Sequence, residues 1–403
     1  MRKLRLPLPG PPSFSAGLCP GAKRNFKDGP CGREIGMSQS RQGLSVSSAP
    51  FVHVRESTSS LVFFLVACLL PSLAWSVFLF GWNVLSIVGI STAAAMATEA
   101  GLGMIRKRAT LTDGTALLTG LLIGFAMPPS VPLYIPILSS IFAIAVVKWS
   151  FGGLGSNWMN PAMGGVVFSY INWPGALNSW RAPRFLTGVD GVTSVTPLGL
   201  LRNASEHAEG LPMDLLREAG YRISDLDASL TNRLNETVLS NLGVRLPGGY
   251  VDLALGIRPG SIGEMAGIFL LAGSILLIAR RVVRWEIPAA CVVVFGTLIR
   301  LFGTGSEPLF YGDVLFAFFT GSFLLVTFFC ATDPATSPMS RPGLLLYGTG
   351  IGALMFLFRR YGAGSEGSAY AVIIMNCLVS LLDSALPAAG FRRRAIGSPG
   401  EQR

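Results

Sequence analysis

Long apolar runs, separated by short polar stretches, recur along the chain from Leu61 onward. A bilayer core about 30 Å thick requires about 20 mainly apolar residues for each helical span, and many of these runs approach that length. The pattern predicts about ten transmembrane helices, near residues 60–81, 84–104, 113–127, 130–149, 158–173, 261–280, 285–302, 313–331, 344–358 and 367–386. We therefore predict an all-α polytopic membrane protein.

The overall composition agrees with this pattern. Half of the 403 residues are hydrophobic and only 13% are charged, and the mean hydropathy is +0.53. A soluble domain of this length would carry many more charged residues. The composition therefore excludes an ordinary water-soluble protein.

The polar stretches divide the chain into five parts. Residues 1–55 are basic and rich in Gly, Pro and Ser, and they contain no apolar core of a signal peptide. We predict a disordered cytoplasmic tail at 1–55, with Met37 as an alternative start. A first membrane repeat at 56–173, an extracytoplasmic segment at 174–260, a second membrane repeat at 261–386 and a basic cytoplasmic tail at 387–403 follow.

The net charge of +10 is explained by membrane orientation and not by nucleic acid, which we do not expect as a partner. Basic residues concentrate in the first tail and at 106–108, 280–284 and 392–394, which the predicted spans place on one side of the membrane. Loops rich in Lys and Arg stay cytoplasmic, so both termini are predicted to be cytoplasmic. Arg359 and Arg360 fall on the opposite side and do not fit this rule.

Cysteine and histidine give no sign of a metal site. The six cysteines form no C-x-x-C pair, and the two histidines, His53 and His207, lie outside the apolar spans. These patterns indicate neither a disulfide framework nor thiolate ligands, and they exclude a haem held by two histidines at membrane depth. We predict no metal and no catalytic residue.

Two apolar regions are interrupted by similar polar phrases, at residues 152–163 and 331–338. The triplets Asn160-Pro161-Ala162 and Asp333-Pro334-Ala335 look equivalent. Proline and clustered glycine free backbone groups that hydrocarbon cannot satisfy, so such breaks face protein or a polar cavity. Two matched breaks predict a site near the midplane between two repeats, whereas the simpler alternative is two ordinary helix ends.

Acidic residues near membrane depth are costly, and each needs its own explanation. Glu99 is interpreted as the partner of the basic cluster at Arg106, with a role in a cation pathway as the alternative. Asp113 and Asp313 precede apolar runs and are predicted helix N-caps. Asp333 lies inside a broken phrase and needs a ligand, a cation or amide donors. Lys148, which ends the fourth span, is predicted to extend to the surface.

The outer segment contains Asp190-Gly191-Val192-Thr193-Ser194-Val195-Thr196-Pro197-Leu198. By composition alone this is an Asp-Gly turn followed by hydroxyl residues and a Thr-Pro step that ends regular structure. Such clusters are normal loop chemistry. Residue chemistry alone therefore leaves an ordinary turn as the default interpretation.

The same phrase resembles the flavin-attachment site of the RnfD/NqrB family, in which FMN is joined through its phosphate to a threonine. The acceptor here would be Thr196, preceded by Asp190, Thr193 and Ser194; Val195 departs from the usual alanine. Further blocks resemble the family in the same order, and together they cover about residues 60–386. They lie at 113–120, 152–163, 260–264, 331–334 and 366–372.

The resemblance implies a non-catalytic subunit of an ion-translocating oxidoreductase in the bacterial cell inner membrane, with covalent FMN on the outer side. It also implies movement of Na⁺ or H⁺, a flavin transferase for maturation, and partner subunits that include a second FMN-bearing one. Relatives in the NqrB branch hold riboflavin in the membrane, and the matching positions here are Thr119, Asn157, Asn160 and Asp333. Gly152 and Gly153 match a stretch linked to quinone, and Glu99 and Asp333 are the candidates for an ion pathway.

Two other functions stay open at this point. Broken helices in two repeats also serve channels or transporters of small solutes such as urea or ammonium. A membrane scaffold that has lost its flavin is the third possibility, which Val195 allows. No G-x-G-x-x-G fingerprint lies between a strand and a helix, so nucleotide oxidation would belong to another chain.

Overall fold

The computed structural model describes residues 57–107, 111–153, 155, 157–183, 193–194, 196–199, 212–218, 223–243, 245–303, 310, 312–362 and 367–386. The two predicted tails, Asp190 and Val195 lie outside these residues. Of Thr193 and Ser194 only the backbone is described.

Helices account for nearly all regular structure in the described part. In chain order they are α1 (Thr58–Phe80), α2 (Trp82–Arg106), α3 (Thr115–Ala126), α4 (Tyr134–Phe142, continued by a π-helix at Ala143–Lys148), α5 (Pro161–Asn172), α6 (Pro174–Leu177), α7 (Pro212–Glu218), α8 (Asp225–Leu234), α9 (Tyr250–Leu255), α10 (Gly267–Ala279), α11 (Glu286–Phe302), α12 (Val314–Phe319), α13 (Phe323–Leu325, continued by a π-helix at Val326–Cys330), α14 (Arg341–Tyr361) and α15 (Gly367–Ala385). Strands β1 (Trp180–Arg181) and β2 (Thr193–Ser194) form a short antiparallel pair.

These helices confirm the all-α polytopic fold class. Each predicted span coincides with one or two of the helices, and among the described residues five helical stretches are long and apolar enough to cross a bilayer. They are Thr58–Phe80, Trp82–Arg106, Ile262–Ala279, Arg341–Tyr361 and Gly367–Ala385. The remaining spans are shorter because α12 and α13 are separated at residues 320–322, which the sequence did not flag, and because other helices end in Pro-rich and Gly-rich turns.

A close helix pair lies in each half of the membrane domain. Gly120 and Gly124 on α3 meet the backbone of α2, and Gly348 and Gly352 on α14 meet the backbone of α11. Small residues four apart allow such backbone contact in membranes, where van der Waals packing drives association. The matching pairs agree with the predicted two repeats, which stay a prediction.

We expect Gly348→Ala to destabilise the protein. A Cβ at this position would lie 2.5 Å from the Ile287 carbonyl oxygen, which is backbone and cannot yield. Overpacking of this kind costs about 1–3 kcal/mol and should lower the thermal midpoint of the detergent-solubilised protein. Gly350→Ala is the matched control because its Cβ would meet only the flexible end of Met375. Equal midpoints for the two variants would contradict the prediction.

The break between α12 and α13 explains Arg359, one of the two arginines that did not fit the charge rule; the other, Arg360, donates to the Phe302 and Gly303 carbonyl oxygens at the end of α11, the latter at 3.3 Å. Arg359 donates to the carbonyl oxygens of Ala317 and Thr320, the latter at 2.8 Å, and its guanidinium lies 5.0 Å from the centre of the Phe295 ring. From the other side, the fully buried Arg258 donates to the Phe319 carbonyl oxygen. Carbonyls freed by the break are thus satisfied by guanidinium groups.

The predicted N-caps had different outcomes. Asp313 caps α12, because its carboxylate accepts the Phe316 N–H at 2.9 Å. The prediction for Asp113 was wrong: Gly114, with φ of 70°, occupies the cap of α3, and Asp113 ends a 3₁₀ turn instead. Glycine adopts this left-handed conformation without the steric cost that aspartate would meet.

Candidate functional site

Thr196 lies in a tight turn of the outer segment (residues 174–260). Its hydroxyl accepts the Gly199 N–H at 3.1 Å, and the residue is only 7% exposed. The β1–β2 pair stands two residues before it and aligns Trp180 with Ser194 and Arg181 with Thr193. A guanidinium and an aromatic side chain therefore belong to the structure that leads into the candidate acceptor.

The turn packs onto the membrane domain through apolar side chains. Leu198 lies against a buried cluster that contains Leu216, Leu253 and Phe316. Tyr250 in the same cluster donates its hydroxyl to the carboxylate of Asp313. The outer segment is thereby joined to α12, the first half of the broken helix.

Two buried carboxylates, which sequence reasoning missed, hold the outer segment together. Asp227 accepts the N–H groups of Gly249, Val251 and Asp252 at 2.5, 2.9 and 3.1 Å. Asp252 in turn accepts the Ser224 N–H at 2.7 Å and the Ser224 hydroxyl. The local sequence did not predict these contacts, because each aspartate and its hydrogen-bond partners lie more than 20 residues apart in the chain.

We expect the stability of the folded segment around Asp252 to fall as pH rises. Burial raises the pKa of Asp252, although the hydrogen bonds from Ser224 lower it, so the folded segment binds a proton more tightly than the unfolded one. This contribution is fully present below the ordinary aspartate pKa of about 3.9 and is lost as pH passes the raised pKa. Hydrogen exchange of residues 223–252, corrected for intrinsic rates, should show less protection at higher pH. The dependence should flatten in Asp252→Asn; an unchanged slope there would contradict the assignment.

The two broken phrases meet at Asn160. Its side-chain oxygen caps α5 by accepting the N–H groups of Ala162 and Met163 at 2.9 and 3.2 Å. Its side-chain nitrogen donates to the Cys330 carbonyl oxygen at 2.9 Å. Asp333, half-buried, accepts the Ala335 N–H at 3.1 Å. Both phrases are therefore ends of helices, as the simpler alternative held, and they are also in contact with each other.

Asn376 completes this junction and was not predicted. With its amide oriented to satisfy the surrounding groups, the oxygen accepts the Asn160 N–H at 2.9 Å and the nitrogen donates to the Thr336 carbonyl oxygen at 3.3 Å. The Tyr347 hydroxyl also contacts this amide. The available signal was an asparagine inside an apolar span, because polar groups at membrane depth are costly and usually paired.

The glycine-rich phrase before Asn160 leaves a polar atom enclosed. Gly152 and Gly153 have φ of 117° and 100°, which glycine tolerates. Asn157 follows, and its side-chain oxygen is shielded without a hydrogen-bond partner among the described residues. A buried acceptor of this kind requires an explanation, and a donor group of a bound ligand or water would supply one.

Glu99 has a partner, Lys148, that its interpretation as an acid paired with the basic cluster at 106–108 did not include; Arg108 of that cluster lies outside the described residues. Glu99 pairs with Lys148, whose ammonium lies 2.8 Å from the carboxylate, and the two side chains are 0% and 2% exposed. Lys148 also donates to the Thr115 hydroxyl at 2.8 Å, and Trp149 donates its ring N–H to Glu99 at 3.1 Å. Lys148 therefore does not extend to the surface in this structure.

Two neighbours extend this buried group. Arg106 lies with its guanidinium 5.3 Å from the centre of the Trp149 ring, a cation–π contact. Thr119 donates its hydroxyl to the Thr115 carbonyl oxygen at 2.8 Å, which places it one helical turn from the partner of Lys148.

Most of the chain is similar to known membrane proteins. A profile of the NQR2, RnfD, RnfE family matches residues 45–392. A subunit of the proton-translocating ferredoxin:NAD(+) oxidoreductase complex of Clostridium ljungdahlii is 35% identical over 341 residues, covering 84% of this chain and 93% of the relative. A subunit of the ion-translocating oxidoreductase complex of Stutzerimonas stutzeri is 34% identical over 356 residues, 86% of this chain and 95% of the relative.

A third relative names a different ion. It is a subunit of the Na(+)-translocating ferredoxin:NAD(+) oxidoreductase complex of Acetobacterium woodii, 32% identical over 341 residues, covering 84% of this chain and 92% of the relative. Two relatives of similar sequence identity thus carry names that specify different translocated ions, the proton in one and Na⁺ in the other.

Proposed function

The chain belongs to the NQR2, RnfD, RnfE family, and from this membership we propose that it is a membrane subunit of an ion-translocating oxidoreductase that carries FMN esterified to Thr196. It is not catalytic alone. It couples electron transfer through that flavin to the movement of Na⁺ or H⁺ across the bacterial cell inner membrane. Both termini are cytoplasmic, and the outer segment lies on the opposite side.

The observation that carries this proposal is the setting of Thr196. A threonine hydroxyl is the group that a phosphoester requires, and Arg181, aligned with Thr193 in the strand pair, supplies the residue type that best recognises phosphate. The residues present therefore fit a flavin phosphate. Bound there, FMN would accept and pass on electrons, because its isoalloxazine ring carries the redox chemistry.

The chain's own residues would hold the ring close to the membrane domain. The turn that contains Thr196 is fixed by Leu198 on the cluster around Phe316, and Tyr250 and Asp313 tie the same segment to α12. An ester at Thr196 therefore keeps a charged, soluble cofactor at the membrane surface, beside the broken helix.

A second flavin or a quinone fits the junction of the two broken phrases. Asn157 offers an enclosed acceptor without a protein partner among the described residues, and Asn160 and Asp333 lie in the phrases that meet there. Gly152 and Gly153 leave the neighbouring loop without side chains. The ring N–H of an isoalloxazine such as that of riboflavin would satisfy Asn157. Thr119 is a further candidate for the second-flavin site, and Glu99 and Asp333 are the candidates for the ion pathway.

Other protein subunits are needed to form the complete complex. The relatives are named as subunits of complexes, so we propose partner subunits that include a second FMN-bearing one, and a flavin transferase that modifies Thr196. Because Thr196 is only 7% exposed, its turn has to open before the transferase reaches the hydroxyl. Attachment is therefore expected to precede the packing of the outer segment.

In-gel fluorescence of the denatured protein under ultraviolet light tests the proposal. Co-expressed with a flavin transferase, the wild-type chain should give a fluorescent band, and the band should vanish without the transferase and in Thr196→Ala. A dark wild-type band would favour a channel for a small solute such as urea or ammonium, or a scaffold without flavin.

A further inference from the structure

A groove open to the lipid-facing surface lies between α11 and α12. Its volume is about 410 Å³, which is within the range of sites that hold small molecules. Because α12 has six residues and α11 has 17, α12 covers only part of α11 and leaves the groove beside it. The walls include Val293, Gly296, Thr297 and Arg300 of α11 and Val314 and Phe318 of α12.

The walls of the groove are largely apolar. At Gly296 the two helices approach closely, since a Cβ there would lie 3.1 Å from the Phe318 ring. Val293 is 64% exposed, and Thr297 directs its hydroxyl to the Val293 carbonyl oxygen at 2.7 Å. Such walls alone do not select an occupant in a membrane, because lipid chains are as apolar as the side chains.

Arg300 gives one end of the groove a positive charge. It lies two residues before the end of α11 and its side chain is exposed. It donates to the Gly312 carbonyl oxygen at 3.4 Å, a long hydrogen bond, and a guanidinium has five N–H donors. The nearby Asp313 uses its carboxylate to accept from the Phe316 N–H and the Tyr250 hydroxyl. Further donors of Arg300 are therefore available to a ligand.

Two other arginines at this end of the helices differ from Arg300 in their contacts. Arg359 donates at 2.8 Å to a carbonyl oxygen freed by the break after α12, and Arg360 donates to the last carbonyl oxygens of α11. Both guanidinium groups thus satisfy helix ends. A positive charge at the edge of the hydrocarbon region is costly unless it pairs or reaches the headgroups, and for Arg300 an anionic headgroup supplies that partner.

We propose that the groove binds one anionic phospholipid, with an acyl chain along the apolar walls and the phosphate on Arg300. A guanidinium matches phosphate in both geometry and charge. An anionic phospholipid combines that phosphate with a long apolar chain, so one ligand satisfies both parts of the groove. The inference goes beyond the proposed redox function and does not depend on a flavin.

A transmembrane helix of a partner subunit fits the groove less well. Such a helix is about 10–12 Å wide and about 30 Å long, whereas α12 offers a wall of about 9 Å. It would also cover Arg300 without bringing the phosphate that the guanidinium recognises best. The size and the charge of the groove therefore favour a lipid.

Native mass spectrometry of the full-length chain in detergent tests the proposal. The delipidated protein is titrated with phosphatidylglycerol and, separately, with phosphatidylethanolamine that carries the same acyl chains. Phosphatidylglycerol should bind at least about tenfold more tightly, because it lacks the ammonium that offsets the phosphate charge. Glycerol 3-phosphate, which has no acyl chain, should not compete. Equal affinity for the two lipids, or displacement by glycerol 3-phosphate, would overturn the inference.

Two arginine variants test the position of the site. Arg300→Gln should weaken phosphatidylglycerol binding about tenfold and leave phosphatidylethanolamine binding nearly unchanged. Arg284→Gln is the matched control, because Arg284 is also exposed and also donates to a carbonyl oxygen, that of Met339, at 3.4 Å. It precedes α11 at the opposite end and does not line the groove. Equal effects of the two substitutions would indicate general charge attraction and contradict the site.

A crosslinking measurement in the membrane does not depend on an arginine variant. The substitution Val293→p-benzoyl-phenylalanine places a photoreactive group in the groove, at a position that is 64% exposed. After illumination of membranes that contain the assembled complex, mass spectrometry should find a phospholipid adduct at residue 293. A crosslink to another polypeptide as the main product would show that a protein covers the groove and would overturn the lipid site.

Discussion

Vesicles that contain the complex with Thr196→Ala are expected to lose electron-driven cation uptake down to the level of empty vesicles. Removal of the hydroxyl removes the only atom of this side chain that can form the phosphoester, and the electron path through this subunit is then interrupted. The hydroxyl also accepts the Gly199 N–H, and loss of such a cap costs about 1 kcal/mol. Because that cost is small, the complex should still assemble.

Thr196→Ser is the matched control for this prediction. Serine keeps the hydroxyl and the hydrogen bond to Gly199, so flavin attachment and uptake should both persist. If Thr196→Ala transported as fast as the wild type, the electron path would not pass through a flavin at this residue. If Thr196→Ser were as inactive as Thr196→Ala while fully assembled, a requirement for threonine itself would replace the requirement for a hydroxyl.

Asn160→Leu is expected to cause a large loss of stability in the membrane domain. It removes the cap of α5 and the hydrogen bond to the Cys330 carbonyl oxygen, which would remain buried without its donor. A lost cap costs about 1 kcal/mol and a buried unsatisfied group about 1–3 kcal/mol. The thermal midpoint of the detergent-solubilised protein should fall by several degrees, at about 2–4 °C per kcal/mol.

The same helix offers a control at its other end. Asn172 is exposed and donates only within its own helix, to the Phe168 carbonyl oxygen, so Asn172→Leu should leave the midpoint nearly unchanged. If both variants shifted the midpoint equally, the junction between the two broken phrases would not be a principal stabilising contact.

The helical framework could be predicted because it follows from the length of apolar runs. The phrases at 152–163 and 331–338 also marked places where helices end or begin, since the backbone effects of proline and glycine are local, whereas the break between α12 and α13 at residues 320–322 was not predicted. The cap formed by Asp313 was accessible to the same local reasoning. Asp113 was not, because glycine at the next position takes the left-handed conformation that starts α3.

The partners of buried polar groups could not be predicted, because they lie far apart in sequence. Glu99 was assigned to the basic cluster at 106–108, seven to nine residues away, whereas Lys148, which forms an ion pair with it, is 49 residues away. Asn376 meets Asn160 across the two halves, and Asp227 holds a turn more than 20 residues later. Only the packing of helices decides which of several charged or polar groups becomes the neighbour.

Mass spectrometry of the peptide that contains Thr196 tests the proposed redox role most directly. The chain should be purified from cells that possess the flavin transferase and digested without exposure to alkali. A peptide heavier by the mass of FMN minus one water, with the adduct located on Thr196, is the expected result. Detection of the unmodified peptide alone would leave the polytopic fold intact and would contradict the assignment of a covalent flavin to this chain.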